Sequence, residues 1–187
     1  MRMIFQNPFS SLNPRMTVFQ VIAEPLINHG VTNKRDLEGQ VAALLERVDL
    51  PRESMWRYPH AFSGGQRQRI GIARTIALRP ELIVADEATS ALDVSLRAHM
   101  LDLLLGLCRE FEMSFIFIGH DIGVIRYMCD RVAVMHRGRI VEIGDADTVC
   151  DRPSHPYTCS LISAIPKPDP RLRGKTERIR YVSEVQS

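Results

Sequence analysis

HAFSGGQRQRIGIARTIALRPELIVADEATSALD, residues 60–93, decides the fold. Ser63-Gly64-Gly65-Gln66 reads as a turn that opens a basic helix. Ser63 takes the N-cap position, and its hydroxyl and the following N–H groups face outward. Neither glycine carries a Cβ, so the backbone there can come close to a ligand. A helix N-terminus of this kind favours an anion such as phosphate. Ile70, Ala73, Ile76 and Ala77 recur at helical spacing, which predicts a helix over 66–78 closed by Arg79-Pro80. Leu82-Ile83-Val84-Ala85 is short, largely branched and bounded by turn residues, so it reads as a buried strand. Asp86 and Glu87 follow at its C-terminal end, where open α/β sheets bind ligands.

Outward from this stretch, composition sets the frame. The chain has 187 residues and 45% hydrophobic content, enough for one good-sized core. A net charge of +2 gives no argument for nucleic acid. No apolar run approaches the roughly 20 residues of a membrane span. MRMIFQNPFSS is too short and polar for a secretory signal, so a cytoplasmic protein is expected. Cys108, Cys129, Cys150 and Cys159 are scattered, with no C-x-x-C pair, so reduced thiols and no zinc site are expected.

Residues 1–5 read as the end of a strand, and QNPFSSLNPR (6–15) as a loop. Val18, Val21, Ile22 and Leu26 make a helical face that is expected to stop near Pro25. A second amphipathic helix is expected from Asn33 or Lys34 to Val48. Residues 51–62 are loop-rich. After Arg79 come strand 82–86, a leucine-rich helix over about 95–111 and strand 114–118 ending at Gly119-His120-Asp121. A short helix over 122–128 follows, then two strands around Arg137-Gly138. The prolines after Asp151 predict an irregular tail with one short helix near 158–164. The organisation is therefore an N-terminal loop region (1–15), a helical part (16–79), an α/β part (80–150) and a tail (151–187). Arg67 and Arg69 are expected to form a solvated face.

FSGGQRQR followed by LIVADEATSALD resembles the nucleotide-binding subunits of ABC transporters. Ser63 to Gln66 match the family's signature turn, and Leu82 to Asp86 its Walker B strand, with Glu87 at the catalytic glutamate. Ser90 to Asp93 match the D-loop, His120 the switch histidine and Gln6 the Q-loop glutamine. QNPFSSLNPRMTV and the tail HPYT…LISAIPKPDP look like importers of dipeptides and oligopeptides, with nickel and glutathione importers close by. Phe62 departs from the commoner leucine, and Ala88 from the usual proline. The resemblance implies an α/β P-loop NTPase (RecA-like) fold with an α-helical signature subdomain.

The resemblance also implies the chemistry. ATP and Mg²⁺ would be the cofactors. Asp86 and Gln6 would contact the metal, Glu87 would orient or deprotonate the attacking water, and His120 would sense the γ-phosphate. Paired acids at a strand end suit that division of labour. Ser63, Gly64, Gly65 and Gln66 would act at nucleotide across a head-to-tail dimer of two such subunits, and Asp93 would be a further cofactor-binding residue. Integral membrane permease subunits and, indirectly, a solute-binding protein would be partners, at the cytoplasmic face of the membrane; nucleic acid would not.

No G-x-x-x-x-G-K-[ST] occurs in the sequence. The family places that P-loop, and the aromatic residue that stacks on adenine, upstream of the Q-loop. The incomplete fold is expected to leave an open strand edge and an apolar patch. A micromolar nucleotide needs about 8 kcal/mol, and charge-assisted hydrogen bonds contribute about 1.5–3 kcal/mol each. Removing a P-loop should remove most affinity, so an N-terminally truncated subunit, inactive by itself, is expected. The alternatives are a non-catalytic partner that lends only its signature turn to an intact subunit, or an inactive gene fragment. An ABC protein of DNA repair or translation is disfavoured, because no long coiled coil is present.

Overall fold

The branched run of residues 82–86 is the middle strand of a parallel sheet. In the computed structural model, which describes residues 1–4, 12–30, 36–87 and 94–164, β2 (Leu82–Asp86) lies between β1 (Arg2–Ile4) and β3 (Ser114–Ile118). The register sets Met3 beside Val84 beside Ile116, and Asp86 beside Ile118. Alternation along each strand puts these residues on one face and Ile4, Ile83 and Ala85 on the other. Ile4, Ile83 and Ala85 are buried, whereas Met3, Ile116 and Ile118 are exposed. The sheet thus has one face that is buried at β1 and β2 and half-buried at Phe115 and Phe117 of β3, and an opposite face with exposed apolar residues.

Three helices fill the crossover from β1 to β2. α1 (Val18–Asn28) is opened by a reciprocal capping box between Thr17 and Gln20. It runs through Pro25 rather than stopping there. The proline removes one N–H, while the buried stripe of Val18, Val21, Ile22 and Leu26 keeps the helix in place. α2 (Leu37–Arg47) buries Val41, Leu44 and Leu45. Two short 3₁₀ turns, Arg52–Trp56 and Pro59–Ala61, occupy the stretch expected to be loop. α3 (Gly64–Ile76) starts two residues earlier than the periodicity predicts, because Ser63 caps it. α4 (Val94–Glu110) connects β2 to β3 and buries Met100, Leu101, Leu104 and Leu107.

Arg67 and Arg69 do not form a solvated face. Arg67 Nε donates to the Pro59 carbonyl at 2.8 Å, and its Nη2 donates to that of His60 at 3.3 Å. Arg69 Nη1 donates to the Val48 carbonyl at 2.9 Å and pairs with Asp49. The first arginine pins the turn that leads into α3, and the second closes the C-terminus of α2.

Residues 1–118 and 119–187 are separate compact units. In the second, α5 (Ile122–Met128) is followed by the antiparallel pair β4 (Arg131–His136) and β5 (Arg139–Asp145). Arg137 and Gly138 both have positive φ, 49° and 77°, as the tightest hairpin turns require. α6 (Ala146–Asp151), not anticipated from the sequence, is capped by Asp145 and tied to α5 by Arg126, which reaches Asp147 at 2.7 Å and Asp151 at 2.8 Å. α7 (Pro156–Ser163) is the short helix expected in the tail.

Candidate functional site

Ser63 holds the Ser63–Gln66 turn through a reciprocal pair of hydrogen bonds with Gln66. Its Oγ accepts from the Gln66 N–H at 3.3 Å, and its own N–H donates to Gln66 Oε1 at 3.0 Å. Its carbonyl accepts from the Arg67 N–H at 2.9 Å. The N–H groups of Gly64 and Gly65 are those a helix start leaves without an intrahelical acceptor. That is the arrangement a phosphate oxygen can meet. Upstream, the Arg57 guanidinium lies 4.9 Å over the Phe62 ring and donates to the Ala61 carbonyl at 3.2 Å. The phenylalanine that replaces leucine here therefore carries a cation–π contact that leucine could not make.

The two glycines differ in their surroundings. A Cβ on Gly64 would meet nothing within 4 Å. A Cβ on Gly65 would sit 2.5 Å from Leu96 Cδ2, with Leu96 Cγ at 3.3 Å and Cδ1 at 3.4 Å. Leu96 belongs to the first turn of α4. Sequence reasoning missed it, since a contact between residues so far apart leaves no local signal.

Asp86 ends β2, beside Ile118 in register. Glu87 has φ +45°, in the left-handed region that is unfavourable for a residue with a Cβ. Its N–H donates to the Ile118 carbonyl at 2.9 Å, which extends the strand pairing by one bond and holds the turn. Both acids are half-buried, and backbone strain of this kind concentrates at functional sites. His120 lies in the second unit, two residues before α5. Asp121 beside it is the cap of α5, with Oδ1 accepting from Gly123 and Val124 at 3.0 and 3.3 Å. Gln6 and Asp93 lie outside the described residues.

The fit to nucleotide and metal is divided. A strained strand end with two adjacent acids suits a hydrated divalent cation and a water, and the capped turn with two outward N–H groups suits phosphate. A lysine-bearing glycine loop to cradle that phosphate is not in the 187-residue sequence. The four cysteines are unpaired, and burial pushes the Cys108, Cys129 and Cys150 thiols up, away from the reactive thiolate.

Comparison with known proteins gives these features their place. Residues 1–90 match the ABC transporter family, and residues 141–185 match the C-terminal region of oligopeptide/dipeptide transporters. The glutathione import ATP-binding protein GsiA of Pectobacterium atrosepticum is 51% identical over 186 residues, covering 100% of this chain and 30% of the relative. The oligopeptide transport ATP-binding protein OppF of Bacillus subtilis is 50% identical over 186 residues, covering 99% of this chain and 61% of the relative. This chain thus spans under a third of the first relative and about three-fifths of the second. Among solved structures, cbiO1 of Clostridium perfringens, part of the ABC transporter complex cbiONQ, superposes with a TM-score of 0.72. That match has 26% identity and covers 80% of this chain and 59% of cbiO1. The parallel sheet and its helices are thus those of an ABC nucleotide-binding domain, with residues 1–90 matching the ABC transporter family and residues 141–185 the C-terminal region of oligopeptide/dipeptide transporters.

Proposed function

We propose that this chain works within the ATP-hydrolysing machinery of an ABC importer for peptides or related small solutes. Its Ser63–Gln66 turn closes over ATP held by a second subunit. The observation that carries the reading is the capped turn itself, whose serine and glutamine fix each other while the Gly64 side stays open. The names of the relatives, import of glutathione and transport of oligopeptides, support the cargo class. Permease subunits at the cytoplasmic membrane face would be the further partners. No helix among the described residues is long and apolar enough to cross a membrane.

Within its own nucleotide site, Asp86 would hold Mg²⁺ through water, with Gln6 as a second contact. When bound, the ion supplies charge neutralisation for the phosphoryl group. Glu87, held at the strand end by its bond to Ile118, orients the attacking water and takes its proton. His120 would sense the γ-phosphate, and Asp93 would be a further nucleotide-binding residue. This site lacks a P-loop from the same sequence, whereas the Ser63–Gln66 turn needs only a partner's nucleotide.

Complementation tests the reading. B. subtilis OppF with its own signature turn disabled is mixed with the purified chain, and Mg-ATP hydrolysis is followed. The chain should restore turnover, and its Ser63→Ala variant should not. No restoration at any ratio, together with micromolar ATP binding by the chain alone, would leave this reading without support.

A further inference from the structure

We infer that Leu96 is a positioning residue for the Ser63–Gln66 turn, and that Gly65 is a glycine because of Leu96 rather than because of nucleotide. The inference rests on the proposed role of that turn and adds a residue outside it. The two glycines sit side by side at the start of α3, yet only one faces open space. Gly64 has nothing within 4 Å of its missing Cβ. Gly65 is buried, and its Cβ position is already occupied by the Leu96 side chain.

Relieving the contact requires the Leu96 side chain to move, because its Cδ2, Cγ and Cδ1 all lie within 3.4 Å of the position. Rotating the leucine about its last torsion moves the methyl at 2.5 Å but leaves Cγ, at 3.3 Å, in place and brings the second methyl round. A methyl on Gly65 must therefore force Leu96 into another χ1 rotamer or displace the α3 start or the first turn of α4. Leu96 stands two residues into α4, which begins directly after residues 88–93. The first turn of α4 and the phosphate-facing turn thus meet through the Leu96 side chain. Leu96 acts by setting where the Gly64 and Gly65 N–H groups point, with no contact to nucleotide of its own.

A mutant cycle in the full chain separates this from a ligand role for Gly65. Gly65→Ala should lower the unfolding midpoint and cut turnover in the OppF complementation assay about tenfold, as a displacement worth one decade would. Gly65→Ala with Leu96→Ala should raise the unfolding midpoint back toward that of Leu96→Ala alone and bring turnover to within about threefold of the wild type. Leu96→Ala alone should speed hydrogen exchange at residues 64–66 and lower turnover per folded molecule, and Leu96→Met should restore both. If Gly65→Ala is equally damaging with and without Leu96, the glycine answers to nucleotide and the inference is wrong. It is equally wrong if Leu96→Ala changes only the unfolding midpoint. Should the wild-type chain fail to complement, the functional reading falls, while the stability and exchange arms still decide whether Leu96 sets the turn.

Discussion

Glu142 gathers donors from the start of the tail. Its Oε1 accepts from the Ser154 N–H and hydroxyl, both at 2.8 Å, and its Oε2 accepts from the His155 N–H at 3.1 Å. Partial burial alone would raise its pKa. The Thr158 hydroxyl, the two Ser154 donors and the His155 N–H outweigh that and bring it down to about 2. The Thr158 Oγ1 makes no hydrogen bond of good geometry, so the Ser154 and His155 donors are the ones that hold the carboxylate. With the folded value below the unfolded one, the carboxylate contributes stability above the ordinary glutamate range. That contribution is lost as the pH falls from about 4.5 to about 2. Glu142→Gln should therefore cost about 1–3 kcal/mol at pH 7, since one amide nitrogen would face donors. The difference from wild type should shrink toward zero near pH 2, read by denaturant unfolding across that range. A pH-independent difference would mean that shape rather than charge holds the tail.

At the scale of elements, Arg69 ties α2 to α3. Its side chain is only 14% exposed, and it serves the carbonyl of Val48, the C-cap of α2, as well as Asp49. Arg52 and Glu38, by contrast, are each more than half exposed. Arg69→Met keeps the stem and removes the donors, so it should cost about 1–3 kcal/mol, while Arg52→Met should stay within about 0.5 kcal/mol. Equal costs in thermal unfolding would show that both arginines are surface pairs. Most elements were legible from period and punctuation, because β2, β3, α4 and α5 carry strong apolar patterns with clear stops. α1 was misjudged at Pro25 because packing outweighs one lost hydrogen bond. α6 was missed because ADTVCD is too short and mixed to show a period; its cap at Asp145 was the available signal. At the candidate site, the Ser63–Gln66 turn and the paired acids were legible in types and spacing. The strain at Glu87, the Arg57–Phe62 contact and the Leu96 contact were not, since each depends on backbone placement or on residues brought together by the fold.

For the whole molecule, the open sheet face is the largest departure from an ordinary soluble protein. Ile116 is 49% exposed, Ile118 47% and Met3 39%, and the register lines Met3, Val84 and Ile116 in one row with Ile118 beside Asp86. β3 is also the edge of its sheet among the described residues, so its outer backbone groups have no strand partner there. An apolar row and an open edge on one strand, in a chain of net charge +2, leave little repulsion to oppose association. The chain should bind a hydrophobic dye strongly and associate increasingly as salt is raised. Replacing Ile116 and Ile118 together by threonine keeps the β-branched shape that favours a strand while removing the apolar surface. That double variant should lose most of the dye signal and shift sedimentation toward the single chain, with its far-UV spectrum unchanged. Dye binding that persists in a folded Ile116→Thr, Ile118→Thr variant would place the exposed apolar surface elsewhere, with Met135, Ile140 and Ile143 of the β4–β5 pair, all exposed, as the next surface to change.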